Sequence, residues 1–68
     1  MKVGIVGLGL IGGSMARAFS KAGHTVYAEE KDSSILEFAQ IAGAVDERLT
    51  EDRIGACDLI LLAIYPTG

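Results

Sequence analysis

The chain has 68 residues, half of them hydrophobic, with two Phe, two Tyr and no Trp, so it makes at most one small domain whose apolar mass is aliphatic. Its net charge of −3 argues against nucleic acid or an anionic membrane as the main partner. A single Cys, no basic segment before a long apolar run, and a longest apolar stretch (Leu59 to Tyr65) far too short to span a bilayer make a soluble cytoplasmic protein the expectation.

Lys2-Val3-Gly4-Ile5-Val6 predicts a first strand, buried on both faces. It begins at residue 2, so no domain is expected before it. Gly4 suits close approach by a neighbouring element or is a tolerated small residue. Gly7, Gly9 and Gly12 follow in the G-x-G-x-x-G spacing of a dinucleotide-binding turn. Gly7 lets the chain leave the strand sharply, Gly9 lets the backbone approach a pyrophosphate, and Gly12 lets the next helix pack against the strand. The helix predicted over Gly12 to Ala22 would aim its unpaired N–H groups and positive dipole end at the phosphates. Met15, Ala18, Phe19 and Ala22 share one helical face and read as core, with Lys21 in the last turn and Gly23 as the stop. Ser14, in the first turn, could contact a phosphate or satisfy a backbone group.

Thr25-Val26-Tyr27-Ala28 predicts a second strand, running into Glu29-Glu30-Lys31-Asp32. Asp32, Ser33 or Ser34 can cap a second helix, and Ser34-x-x-Glu37 has the form of a capping box. Ile35, Phe38, Ala39 and Ala42 give that helix its apolar period, and Gly43 ends it. Ala44-Val45 is the candidate for a very short third strand. One or two helical turns over Thr50 to Gly55, capped by Thr50, precede a continuous apolar strand over Asp58 to Ile64 that Pro66 terminates. The chain then stops at Gly68, directly after a strand-like run, which predicts a fragment or part of a longer protein.

Strands alternating with helices imply parallel pairing and right-handed crossovers. The expected fold is α/β, the first half of a Rossmann-type doubly wound sheet, with strand order 3-2-1-4. Both long helices then lie on one face. The other face receives only the Thr50–Gly55 segment, leaving the Leu59–Ile64 strand under-covered, to be covered by later helices or another chain.

An acid about 20 residues past the glycine loop can accept hydrogen bonds from the adenosine ribose. Glu30 stands 18 positions after Gly12. Glu29 and Glu30 point to opposite sides of the strand, and Glu30 is the one assigned to the ribose. Its carboxylate would repel a 2′-phosphate and so favours NAD, while the adjacent Lys31 could tolerate one, leaving NADP open. Ligands of such sheets sit beyond the carboxyl ends of the strands. The expected cofactor-binding set is therefore Gly7, Gly9, Leu10, Ile11 and Gly12 in the loop, Glu30 and Lys31 after the second strand, and Ala63, Ile64, Tyr65 and Pro66 after the fourth. Tyr65 could stack on the cofactor or pack at the strand end. Cys57 reads as a small hydrophobe and His24 as a turn residue at the opposite end of the sheet. The sequence contains neither a metal-ligand cluster nor a nucleophilic triad.

Val6-Gly7-Leu8-Gly9-Leu10-Ile11-Gly12-Gly13-Ser14 closely resembles the nucleotide-binding loop of prephenate dehydrogenases and their arogenate-using relatives, and Leu10-Ile11-Gly12-Gly13-Ser14 is more specific than a generic dinucleotide turn. Gly23-His24-Thr25-Val26-Tyr27, Gly43-Ala44-Val45-Asp46 and Cys57-Asp58-Leu59-Ile60-Leu61-Leu62-Ala63 look like the segments that follow in that family. The resemblance covers essentially the whole chain, which would be under a quarter of a typical member. It implies NAD(P)-dependent oxidative decarboxylation of prephenate to 4-hydroxyphenylpyruvate in tyrosine biosynthesis, and a helical C-terminal domain that makes a homodimer and helps build the substrate site. The family's catalytic His and substrate-binding arginine lie downstream, so no catalytic residue is assigned and the chain alone is expected to be inactive. Glu30 stands where many members have Asp, and Tyr65 follows Ala63-Ile64 where many have Pro directly. The alternatives are another reductase, such as a β-hydroxyacid dehydrogenase or pyrroline-carboxylate reductase, which more often show Gly-x-Met-Gly or Gly-x-Met-Ala, and a non-catalytic dinucleotide-binding module.

Overall fold

The computed structural model describes residues 1–63, with Leu10 and Ile11 as backbone only. The elements are β1 (Lys2–Val6), α1 (Leu10–Lys21), β2 (Thr25–Glu29), α2 (Ser33–Ile41), β3 (Glu47–Arg48), α3 (Glu51–Ile54) and β4 (Leu59–Leu62). All strand pairs are parallel and the sheet order is β3-β2-β1-β4, the first half of a doubly wound α/β fold.

The pleat sorts the side chains. Val3 and Ile5 of β1 lie beside Val26 and Ala28 of β2 and Leu59 and Leu61 of β4 in the parallel registers. They meet Ala16 of α1 and Leu36 of α2 in one core, with Leu8, Ala44 and Val45 closing it. Both long helices therefore cover the same face, as two right-handed crossovers in one direction require. On the other face Gly4 carries the backbone close to its neighbours: a Cβ there would lie 2.7 Å from Ile60 Cδ1 and 3.1 Å from Cys57 Sγ. Arg53 of α3 lies over the Tyr27 ring, 5.5 Å from its centroid, and Nη1 donates to the Arg48 carbonyl at 2.9 Å. Beyond this thin cover Leu62 is 73% exposed.

Two aspartates lock the starts of the central strands by the same device. The Asp58 N–H donates to the Lys2 carbonyl while the Lys2 N–H donates to Asp58 Oδ2, both at 2.8 Å. The Asp46 N–H donates to the Val26 carbonyl and the Val26 N–H to Asp46 Oδ2, again at 2.8 Å. Each carboxylate supplies the acceptor that a backbone carbonyl would otherwise provide, so each pairing is extended one residue ahead of its first register pair.

Four local expectations shift. The third strand is Glu47–Arg48, not Ala44-Val45. Ala44 and Val45 bond back to the Ala39 carbonyl and bury their side chains, so bonding to the edge of β2 starts only at Asp46. The buried stripe of α1 is centred on Gly12 and Ala16, flanked by Met15 and Phe19, whereas Ala18 and Ala22 are exposed. Gly12 and Ala16 are small, so α1 can sit close to β1. In α2 the contact with the core is Leu36 and Ala39, and Ile35, Phe38 and Ala42 face outward. Apolar residues spread over well more than one face of that helix, with Ser33, Glu37 and Gln40 on the remaining polar strip. Asp32 is the N-cap and accepts the Ser34 N–H at 2.9 Å, which places Ser34 inside the helix rather than at the head of a capping box. Thr50 caps α3 as expected, and Gly23 and Gly43 follow α1 and α2 at φ of +89° and +79°.

Candidate dinucleotide-binding site

The carboxyl ends of β1 and β2 and the start of α1 bring together residues far apart in sequence. Gly7 leaves β1 at φ +89°, a left-handed conformation that a side chain would resist, and its N–H donates to the Glu29 carbonyl at 2.8 Å. Gly9 is exposed and is the N-cap of α1, a cap with no side-chain acceptor. The first-turn N–H groups of a 12-residue helix thus start with no side chain bonded to them, the arrangement that accepts an anion. Gly12 is buried, and a Cβ there would overlap the Gly7 carbonyl and lie 3.1 Å from Ala63 Cβ. Ala63 continues the β4 ladder, its N–H donating to the Val6 carbonyl at 2.8 Å, so it stands directly against the glycine loop.

Glu30 follows β2 and is half-buried, whereas Glu29 is exposed. One Glu30 oxygen accepts the Leu8 N–H at 2.9 Å and the other accepts the Asp32 N–H at 2.9 Å. These bonds, Asp32 first and Leu8 second, hold its carboxyl below the ordinary value of 4.5 against the opposing effect of desolvation, with the neighbouring Lys31 adding a small pull in the same direction. An ionised carboxylate has about four acceptor positions, so two remain for ligand hydroxyls. Lys31 is exposed on the turn beside it.

The structure thus gathers Gly7, Gly9, Gly12, Glu30 and Ala63 at one end of the sheet, with Leu10 and Ile11 opening α1 and Lys31 on the adjoining turn. Ile64, Tyr65 and Pro66 lie outside the described residues. Sequence reading missed Leu8 and Asp32, whose backbone N–H groups hold Glu30; Leu8 occupies a freely variable position between two glycines and carries no sequence signal. His24 lies at the far end of the sheet, its ring centroid 5.9 Å from that of Phe19 and Nδ1 3.1 Å from the amino terminus. A shallow recess at that end is lined by Met1, Lys2, Thr25, Ala56 and Asp58. Among the described residues no group of three or more His, Cys, Asp or Glu could hold a metal ion, and no helix is long and apolar enough to cross a membrane.

A glycine turn, an uncapped helix start and an acid after the second strand are the parts from which dinucleotide cradles on such sheets are built. The sequence profile of the family described as "NADP oxidoreductase coenzyme F420-dependent" matches residues 2–68. The chain belongs to that family. A crystal structure of arogenate dehydrogenase from Synechocystis superposes on it with a TM-score of 0.82 at 35% identity, over 91% of this chain and 23% of that one. The F420-dependent NADP oxidoreductase family is thus represented here by a stretch that spans about a quarter of that enzyme. No curated protein sequence matches the chain. As a member of this family, the chain is an NAD(P)-binding, oxidoreductase-type domain that resembles the N-terminal part of arogenate and prephenate dehydrogenases.

Proposed function

We propose that this chain is the dinucleotide-holding part of an NAD-dependent prephenate or arogenate dehydrogenase. The observation that carries the reading is the 35% identity to arogenate dehydrogenase across 91% of the chain, on the same sheet order. The residues present fit the cofactor. The first-turn N–H groups after Gly9 would take the pyrophosphate, and Gly7 and Gly12 keep the loop low enough for it to approach. Glu30 would accept from the adenosine ribose through its two remaining acceptor positions, and its negative charge disfavours a 2′-phosphate, so NAD is the preferred dinucleotide. Lys31 stands at the rim, where its charge moderates that preference. Ala63 would line the crevice between β1 and β4.

When bound, the nicotinamide supplies the hydride acceptor for oxidation of the ring substrate. This chain's residues contribute binding and orientation. The groups that bind prephenate or arogenate and move its proton belong to the rest of the protein, as does the homodimer contact. Oxidation with loss of carbon dioxide would make the full protein a step in tyrosine formation, in the cytoplasm.

A second reading is favoured by the family description: a reductase that exchanges hydride between NADP and coenzyme F420. Assaying the full-length protein separates the two. Reduction of NAD on addition of prephenate or arogenate supports the dehydrogenase. No turnover with either, together with NADP-dependent reduction of coenzyme F420, overturns it.

A further inference from the structure

We propose that Glu30 is a positioning residue for the glycine loop, tying it to the β2–α2 turn before any dinucleotide arrives. The pairing of β1 with β2 does not stop where the strands stop. The Gly7 N–H donates to the Glu29 carbonyl at 2.8 Å, and the next N–H, of Leu8, donates to the Glu30 carboxylate at 2.9 Å. A side chain thus carries the ladder one residue past the point where the backbone turns away. The second oxygen takes the Asp32 N–H at 2.9 Å, on the turn that leads into α2. Asp32 is itself the N-cap of α2, so a single carboxylate links the phosphate loop to the start of the second helix.

The loop needs such a tie. Gly7, Gly9, Gly12 and Gly13 give residues 7–13 more conformational freedom than any other stretch of the chain. No side chain caps the helix that follows, and among the described residues the loop bonds to itself through Gly13, whose N–H reaches the Leu8 and Gly9 carbonyls. Leu8 is 2% exposed, so its N–H would be stranded if Glu30 turned away. The same tie keeps Glu30 from swinging aside for a 2′-phosphate. A preference for NAD over NADP would then follow from loop geometry as well as from charge. The groups near Glu30 that could disturb this are Lys31 and Asp32 on its own turn and Glu29 before it; the loop from Gly7 to Gly13 contributes no ionisable side chain.

This inference deepens the dinucleotide reading and rests on it only for its ligand measurements. The test uses the isotopically labelled full-length protein without cofactor, comparing wild type with Glu30→Gln and Glu30→Asp. In wild type the Leu8 and Asp32 amide-proton resonances move together as Glu30 is protonated at low pH, a measurement that needs no variant. In Glu30→Gln, which offers one acceptor where two are used, at least one of these amides exchanges with solvent about tenfold faster and the joint pH response is absent. Glu30→Asp, one methylene shorter, keeps the charge but reaches only one of the two amides. Binding of ADP and of 2′,3′-dideoxyadenosine diphosphate, which lacks the ribose hydroxyls, should weaken several-fold together in Glu30→Gln. Loss confined to ADP, with the Leu8 amide unchanged, would overturn the positioning role and leave Glu30 a ribose contact alone. If wild type binds neither nucleotide, the dinucleotide reading fails, and the amide measurements still decide the tie.

Discussion

Glu30 and Gly12 concentrate the single-residue consequences. If Glu30 holds the ribose as proposed, Glu30→Ala removes that acceptor and the charge that would repel a 2′-phosphate, so it should weaken NAD more than NADP; titration calorimetry giving equal losses would remove the ribose role. The pH dependence has a definite sign. The folded carboxyl lies below its ordinary 4.5 because backbone N–H groups favour its charged form. Its contribution to stability is therefore complete above 4.5 and is lost as pH falls through the lower, folded value. Stability curves of wild type and Glu30→Gln should run parallel near neutrality and converge in acid; curves that stay parallel throughout would show that the carboxylate gains nothing on folding. Gly12→Ala should destabilise by at least about 1–3 kcal/mol in denaturant titration, because the new methyl overlaps a backbone carbonyl that has no rotamer to escape into.

Among the elements, the strands were legible because β1, β2 and β4 are apolar runs bounded by turn residues. The two-residue β3 was not. Its residues are charged and exposed, so its only strand property is a pair of backbone bonds to an edge, which no side-chain pattern records. The helices were located by their stops, Gly23 and Gly43, yet their phases were misjudged. In α1 the packing stripe is marked by small residues rather than large ones, and in α2 apolar residues spread over more of the circumference than the core covers. Asp46 and Asp58 belong to this level too: each extends a parallel pairing one residue ahead of its first register pair. Asp46→Ala or Asp58→Ala should each cost about 1 kcal/mol in chemical denaturation, with faster amide exchange at Val26 or Lys2 respectively. A cost near zero in both would mean that water replaces the carboxylate without loss.

For the molecule as a whole, the two sheet faces differ in how much they contribute. Ile5 is fully buried among α1, β2 and β4, and Ile5→Ala should cost about 2–5 kcal/mol by calorimetry or denaturant. Leu62, pointing to the opposite face and 73% exposed, should tolerate Leu62→Ala within about 1 kcal/mol in this chain. Similar costs for the two would contradict the one-sided core. The alternation of elements was enough to deduce that asymmetry, since handedness alone puts both long crossovers on one side.

The order of elements, the glycine spacing and an acid 18 positions on are local facts, and they were sufficient for the α/β fold and the 3-2-1-4 sheet, and so for bringing the glycine loop and Glu30 together at the carboxyl end. They act through backbone conformation and strand order, which short stretches of chain dictate. Only the tertiary structure decided that Glu30 is bound to Leu8 and Asp32, that Gly12 rests against Gly7 and Ala63, and that Asp46 and Asp58 close the ladders. The bonds from Glu30 to Leu8, from Asp46 to Val26 and from Asp58 to Lys2 each join a side chain to a backbone group well separated along the chain. Such a partner carries no residue-type signature, and it exists only once the sheet has brought the strands side by side.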